Sequence, residues 1–267
     1  MGATRSAALI RQAARALGLV AALAISPSAS AFDASVDVGV HAHRLREFSA
    51  DGATLVREQG VAPRGELRLN HPLTDSVAMR ASLGGWATRA DYKGHTQGGV
   101  SIESRTDTAS LTLEASLAWQ PADTGLVLEA GMQVERLRRQ IRGAGDNSGL
   151  DETLVQPRWL LRAGWRAAET TLTAGVLWGP RASLSVRFEN QLFDPARTRS
   201  GHSAGLMFEV SRRLGRFWRI GSQIDMLKVG SSLSSPLRRG GETVGTLSQP
   251  RWRRDQMTVI LERSLGS

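Results

Sequence analysis

Apolar and polar side chains alternate along this chain over segments of membrane thickness. In residues 108–119 the odd positions are Ala109, Leu111, Leu113, Ala115, Leu117 and Trp119. The even positions are Thr108, Ser110, Thr112, Glu114 and Ser116, with Ala118 the single apolar exception. A period of two is the period of an extended strand, whose successive side chains point to opposite faces. The same sorting recurs in residues 32–42, 77–88, 126–135 and 155–166, and more weakly in 64–70, 170–178, 203–211, 217–227 and 254–263. Ten strands are therefore expected.

The connections alternate as well. Short ones fall near 71–76, 120–125, 167–169 and 212–216, and carry Pro, Gly, Asp or charge as turns require. Long ones fall near 46–63, 91–106, 138–152, 179–202 and 230–252. Residues 181–190 read as an additional hairpin arm. Short turns on one rim and long loops on the other describe an up-and-down barrel crossing a membrane, with an even strand number. A soluble sandwich would also alternate, but its strands run to about 5–6 residues. These run to about 9–11, the length that a tilted membrane strand needs. The expected fold is all-β: an antiparallel up-and-down transmembrane β-barrel of about ten strands, occupying residues 32–267.

The first 31 residues read as a secretory signal. Arg5, Arg11 and Arg15 precede an apolar run of about ten residues, too short to span a bilayer. Ser26-Pro27-Ser28 then breaks any helix, and Ala29-Ser30-Ala31 offers a cleavage site. The formal charge of +9, less three leader arginines, leaves +6 on the remainder. There is no cysteine, so an exported chain of this kind has no disulfide to hold it.

The polar phase of the strands would line the lumen. An ion network is expected there from Asp37, Glu66, Arg68, Arg80, Glu114, Glu129, Arg158, Arg162, Arg219 and Asp225. Charges in a narrow lumen must be paired or wetted, because a lone desolvated charge costs several kcal/mol. Across the turn at 71–76, Arg68 should lie near Arg80, with Glu66 and Glu114 as the nearest acids. On the apolar phase Trp119, Trp165, Trp178 and Trp218 sit beside connections, where indole rings prefer the headgroup level. These four are the expected interface belt.

The mature chain resembles the small outer-membrane β-barrels of Gram-negative bacteria. Segments 51–58 (DGATLVRE) and 92–98 (YKGHTQG) resemble stretches in uncharacterised barrels of that kind. The resemblance implies the cell outer membrane as location, membrane lipid and lipopolysaccharide as surroundings, and the barrel-assembly machinery as a partner during biogenesis. Members commonly finish on a terminal aromatic, and here Leu265 stands near that place. The resemblance transfers no catalytic residue.

Chemistry-bearing motifs are sparse. His41 and His43 share one strand face with Asp37 and read as polar wall residues or as a metal or proton site; no third ligand can be placed. Omptin-type proteases use acids and a histidine at the outer rim, where Asp91, Asp107, Asp151, His95 and His202 would lie, but no omptin-like motif surrounds them. His202-Ser203 are adjacent on a strand and face opposite ways, so they form no dyad. Arginines Arg138, Arg139, Arg142, Arg238 and Arg239 are expected on loops, where guanidinium matches the phosphates of lipopolysaccharide. No phosphate-binding glycine loop, zinc spacing or nucleophile elbow occurs, so no cofactor, metal or nucleic acid is expected. Three functions stay open: a plugged barrel with a structural or interaction role and five outward loops, an outer-membrane enzyme (protease-like or lipid-modifying), or a narrow, porin-like solute channel.

Overall fold

The computed structural model describes residues 33–95, 101–122, 124–144 and 149–265. The expected leader lies outside them. Among the described residues, fourteen strands run in order: β1 (Asp33–Phe48), β2 (Thr54–Pro72), β3 (Val77–His95), β4 (Ser101–Trp119), β5 (Leu126–Ile141), β6 (Leu150–Ala167), β7 (Thr170–Gly179), β8 (Ser183–Phe188), β9 (Ala196–Arg199), β10 (Ser203–Arg213), β11 (Trp218–Val229), β12 (Ser235–Arg239), β13 (Glu242–Leu247) and β14 (Arg251–Ser264). Ten of them close a barrel. β1 to β7 pair in sequence, β7 pairs with β10, β10 with β11, β11 with β14, and β14 returns to β1. Every pairing is antiparallel, and closure leaves the ten-stranded ring without an edge, while β9 ends the part of the sheet that extends above it.

The barrel is inside-out relative to a soluble protein. On the outer face Val38, Val40, Leu113 and Trp165 are all more than half exposed, while the inward Glu58, Gln156 and Thr258 are fully buried. On β6 the apolar outward residues run from Trp165 to Val155. Ten steps of about 3.3 Å, tilted by about 40°, rise roughly 25 Å, the height of an outer-membrane apolar band.

The strands do not stop where the lipid stops. β2, β3 and β4 have 19 residues each, against the 9–11 or so that spanning needs. The connections expected at 46–63, 91–106 and 138–152 are therefore mostly strand: Arg46 pairs with Arg57, Arg44 with Gln59 and Lys93 with Glu103. Above the bilayer both faces of a strand meet polar surroundings, so the alternation fades while the hydrogen-bond ladder continues.

The wall changes partner at β6. Trp159–Ala167 pair with β7, whereas Leu150–Val155 pair with β8. Pro157 sits between the two pairings and has no N–H to donate, and Pro180 follows the last residue of β7. The hairpin arm at 181–190 thus lies in the wall as a continuation of the sheet, with β9 beside it. A second hairpin, β12–β13, turns through Gly240 and Gly241, both at positive φ (57° and 87°) as a two-residue turn of mirror-image type demands. Asp194 accepts from both of their amides, at 3.2 and 2.8 Å.

Candidate functional site: a layered lumen

The lumen is organised in levels. At the short-turn end a cavity of about 420 Å³ runs from Asp33, Arg166 and Ser264 at the mouth to His41, Trp86, Glu135 and Arg158 at its floor. Its walls are charged and largely paired. Arg68 lies 2.9 Å from Asp37 and 2.9 Å from Glu66, and Arg64 lies 2.6 Å from Glu66. Arg162 bridges Glu114 at 2.5 Å and Glu129 at 3.1 Å, and Arg80 meets Glu129 at 3.0 Å. Arg219 stands 3.4 Å from Glu262. Asp225 holds no such partner among the described residues; the Gln223 amide donates to both its oxygens, at 3.0 and 2.9 Å.

At the 71–76 turn Arg68 and Arg80 are diagonal neighbours on one face, near each other as expected, and one of the two expected acids is corrected. Arg80 faces Asn70, and Arg68 faces Ser82, so the two arginines are staggered along the ladder. Glu66 does bind Arg68, but Glu114 serves Arg162 across the lumen. A staggered register separates like charges and gives each its own acid.

The middle level is aromatic and imidazole. The Trp86 ring stacks on His41 at 4.6 Å and packs tilted against His43 at 4.8 Å. His43 reaches Glu58 at 3.4 Å, and His41 reaches the Thr258 hydroxyl at 3.0 Å. Gly60 lies opposite His43, and a Cβ there would come within 3.2 Å of the imidazole, so the ring fits because that position has no side chain. Beside it Glu135 is clamped by Arg158 and by Arg254, the latter at 2.7 Å. Among the described residues no group of three or more His, Cys, Asp or Glu is arranged to hold a metal ion.

The upper level is filled from two sides. On one, Arg139 meets Glu47 at 2.9 Å, Glu58 at 3.1 Å and Glu152 at 2.8 Å. On the other, Leu45, Leu137, Leu154, Leu184, Val229 and Trp252 form an apolar cluster that also includes Trp86. The void left between Leu45, Arg139, Leu184 and Trp252 is about 10 Å³, at or below the room for one water. The described residues therefore close the cavity toward the hairpin end.

Arg139 was expected on a loop and belongs instead to β5, inward and only 3% exposed. It follows Glu129 and Glu135 in phase, and Glu47 and Glu58 likewise continue the inward phases of β1 and β2. Carrying the period of two through the polar stretches would have found all three. Arg138 points outward beside Asp151 (2.6 Å), and Arg142 follows β5 and binds Asp107 (2.8 Å). Arg238 and Arg239 lie on β12, where Arg239 donates to the Leu192 carbonyl and covers the Phe193 ring.

Trp119, Trp165, Trp178 and Trp218 all point outward and are 41–55% exposed. Trp119, Trp165 and Trp218 lie beside the short turns, and Trp178 stands at the opposite edge, where it faces Trp159 across β6 and β7, a fifth ring absent from the expected belt. The rim acids lie near one another on the outer face, with Asp107 and Asp151 in one row through Gln140 and Asp91 diagonal to Asp107, but no histidine joins them. Asp91, Asp107 and Asp151 point outward from their strands, and His95 and His202 stand on opposite sides of the barrel.

No family model and no curated protein matches this sequence. Solved structures do match. The outer membrane protease OmpT from Escherichia coli aligns with a TM-score of 0.54 at 12% identity, over 87% of this chain and 97% of that one. The translocator domain of the autotransporter NalP from Neisseria meningitidis aligns with a TM-score of 0.50 at 10% identity, over 98% and 97%. At such identities the likeness is one of fold alone: a closed antiparallel barrel of the kind that outer-membrane proteins share.

Proposed function

We propose that this protein is a sealed outer-membrane barrel with a structural or interaction role, inserted with its short turns toward the periplasm and its hairpins outward. Residues 1–31 would direct export and be removed, and the barrel-assembly machinery would insert the rest. The observation that carries this reading is the filled upper lumen, where Arg139 with its three carboxylates and the Leu45–Trp252 cluster leave no room for a water file. A conducting pore needs a continuous wet path, and here paired charges and packed side chains occupy it. What faces outward is instead a charged collar and two hairpins, suited to lipopolysaccharide or a partner.

Two measurements test the reading. The purified barrel in planar bilayers should give no stable unit currents, and regular single-channel steps would overturn the sealed lumen. The native protein should fractionate with outer membranes and change its gel mobility on heating; recovery in the soluble periplasm would overturn the location.

A further inference from the structure

Directly above the apolar band, the outer face of β5, β6, β8 and β9 carries arginine at five outward positions. Outward orientation follows from the register: Leu154 and Leu184 pair and are both buried, so Ser183, Ser185 and Arg187 face out, as do Arg197 and Arg199 of β9. Arg136 and Arg138 are the outward residues of β5 at the same levels. Two rows result. One reads Arg136, Val155, Ser183, Arg199; the next reads Arg138, Thr153, Ser185, Arg197. Each row places guanidinium groups on both sides of a floor of small side chains. Three strand spacings of about 4.8 Å separate the two arginine columns by roughly 14 Å.

Among the described residues, most of the charge on this face has no carboxylate partner, as is also true of Arg44, Arg57 and Arg105 across the collar, but only here do the arginines stand in two facing columns. Elsewhere on the collar Arg46 and Arg253 share Asp255, Arg89 and Arg142 share Asp107, and Lys93 meets Glu103. On this face only Arg138 has a carboxylate, Asp151. Arg136, Arg187, Arg197 and Arg199 have none within 4.0 Å among the described residues. Below the rows stands the outward Trp159–Trp178 pair, 47% and 43% exposed, at the edge of the lipid-facing wall.

Guanidinium columns over an aromatic ledge over apolar wall match one kind of molecule in order from top to bottom: phosphates, then a headgroup, then acyl chains. We propose that this face binds a lipid of the surrounding leaflet carrying more than one phosphate, seated with its phosphates between the Arg136–Arg138 and Arg197–Arg199 columns and its chains along Val155, Trp159 and Trp178. This rests on the outer-membrane reading above and adds to it a defined site and ligand class. The flat hydroxyl floor of Thr153, Ser183 and Ser185 lets a sugar-sized headgroup approach the sheet, and its hydroxyls are further donors.

The test uses the full barrel in detergent micelles with lipopolysaccharide, intact or stripped of its phosphates, and retained lipid read by native mass spectrometry. The triple variant R136Q/R197Q/R199Q should lose affinity for intact lipopolysaccharide by about tenfold or more, since it removes the charge from guanidinium–phosphate hydrogen bonds. The control triple R44Q/R57Q/R105Q, with the same charge removed elsewhere on the collar, should stay within about twofold. Phosphate-stripped lipid should bind wild type as weakly as intact lipid binds the first triple. Equal loss in the two triples overturns the site in favour of diffuse attraction, and so does indifference to phosphate removal. Millimolar inorganic phosphate should compete poorly, because the ledge contributes only to a lipid; full displacement by it overturns the lipid as ligand. Heat-modifiable mobility and conductance on the same samples keep the two ideas apart. A folded, sealed barrel that ignores the phosphates sinks the site alone, and a conducting barrel that prefers them sinks the seal alone.

Discussion

Arg139 shows how much one side chain can hold. Its guanidinium meets Glu47, Glu58 and Glu152, from three other strands, and its side chain is only 4% exposed. Removing it leaves three carboxylates in a dry lumen with no counter-charge. R139M should therefore cost about 3–5 kcal/mol, the range for breaking a buried charge network from one side. Urea unfolding of the barrel in lipid would show it as an earlier midpoint at unchanged slope. R142M, at a site with a 42% exposed side chain, should change stability by less than about 1 kcal/mol in the same assay. Gly60 matters in a different way. A Cβ there would lie 3.1 Å from Ala90 and 3.2 Å from His43. G60V should therefore cost about 1–3 kcal/mol through overpacking.

Among elements, the β12–β13 hairpin is the one held from outside itself. It forms its own two-stranded sheet, separate from the barrel wall. The Asp194 carboxylate takes the Gly240 and Gly241 amides, the Asp194 amide donates to the Arg238 carbonyl at 2.8 Å, and Arg239 covers Phe193 at 5.0 Å. D194A leaves the turn chemistry of the two glycines intact and removes the carboxylate's two bonds from the latch. Hydrogen exchange at Gly240 and Gly241 should accelerate by about tenfold while the barrel midpoint barely moves. Unchanged exchange would mean that the hairpin needs neither of those bonds. The long strands teach the complementary point. β3 and β4 stay paired from Val77–Trp119 up to His95–Ser101. Yet the sequence signal of β3 fades near Thr88, because Arg89, Asp91 and Lys93 replace the apolar outward residues there.

For the whole molecule the question is what closes the lumen. Trp86 caps the cavity and belongs to the apolar cluster, and Trp252 fills the level above it. Truncating both removes the largest side chains from the path between the 420 Å³ cavity and the hairpin end. The double variant W86A/W252A should admit water and give measurable unit currents where the parent gives none. If it stays silent while still folded, the Arg139 level alone is the seal. Each truncation is also expected to cost about 3–5 kcal/mol, so the folded fraction must be checked by heat-modifiable mobility first.

The pattern of residues determined the architecture by itself. Alternation over bilayer-length segments leaves each strand one face for lipid and one for the lumen, and ten such segments with short and long connections leave few ways to pair. It determined the lumen phase too, since Asp37, Glu66, Arg68, Glu129, Arg158 and Arg162 all point inward in the closed barrel. Only the tertiary structure decided partners. Glu114 with Arg162, or Arg139 with Glu58, joins strands whose relative height depends on the tilt and stagger of the whole cylinder, which no single segment encodes. It also decided where the strands end. Lipid imposes alternation on a strand and water does not, so the sequence marks the edge of the membrane and the hydrogen-bond ladder marks the edge of the barrel.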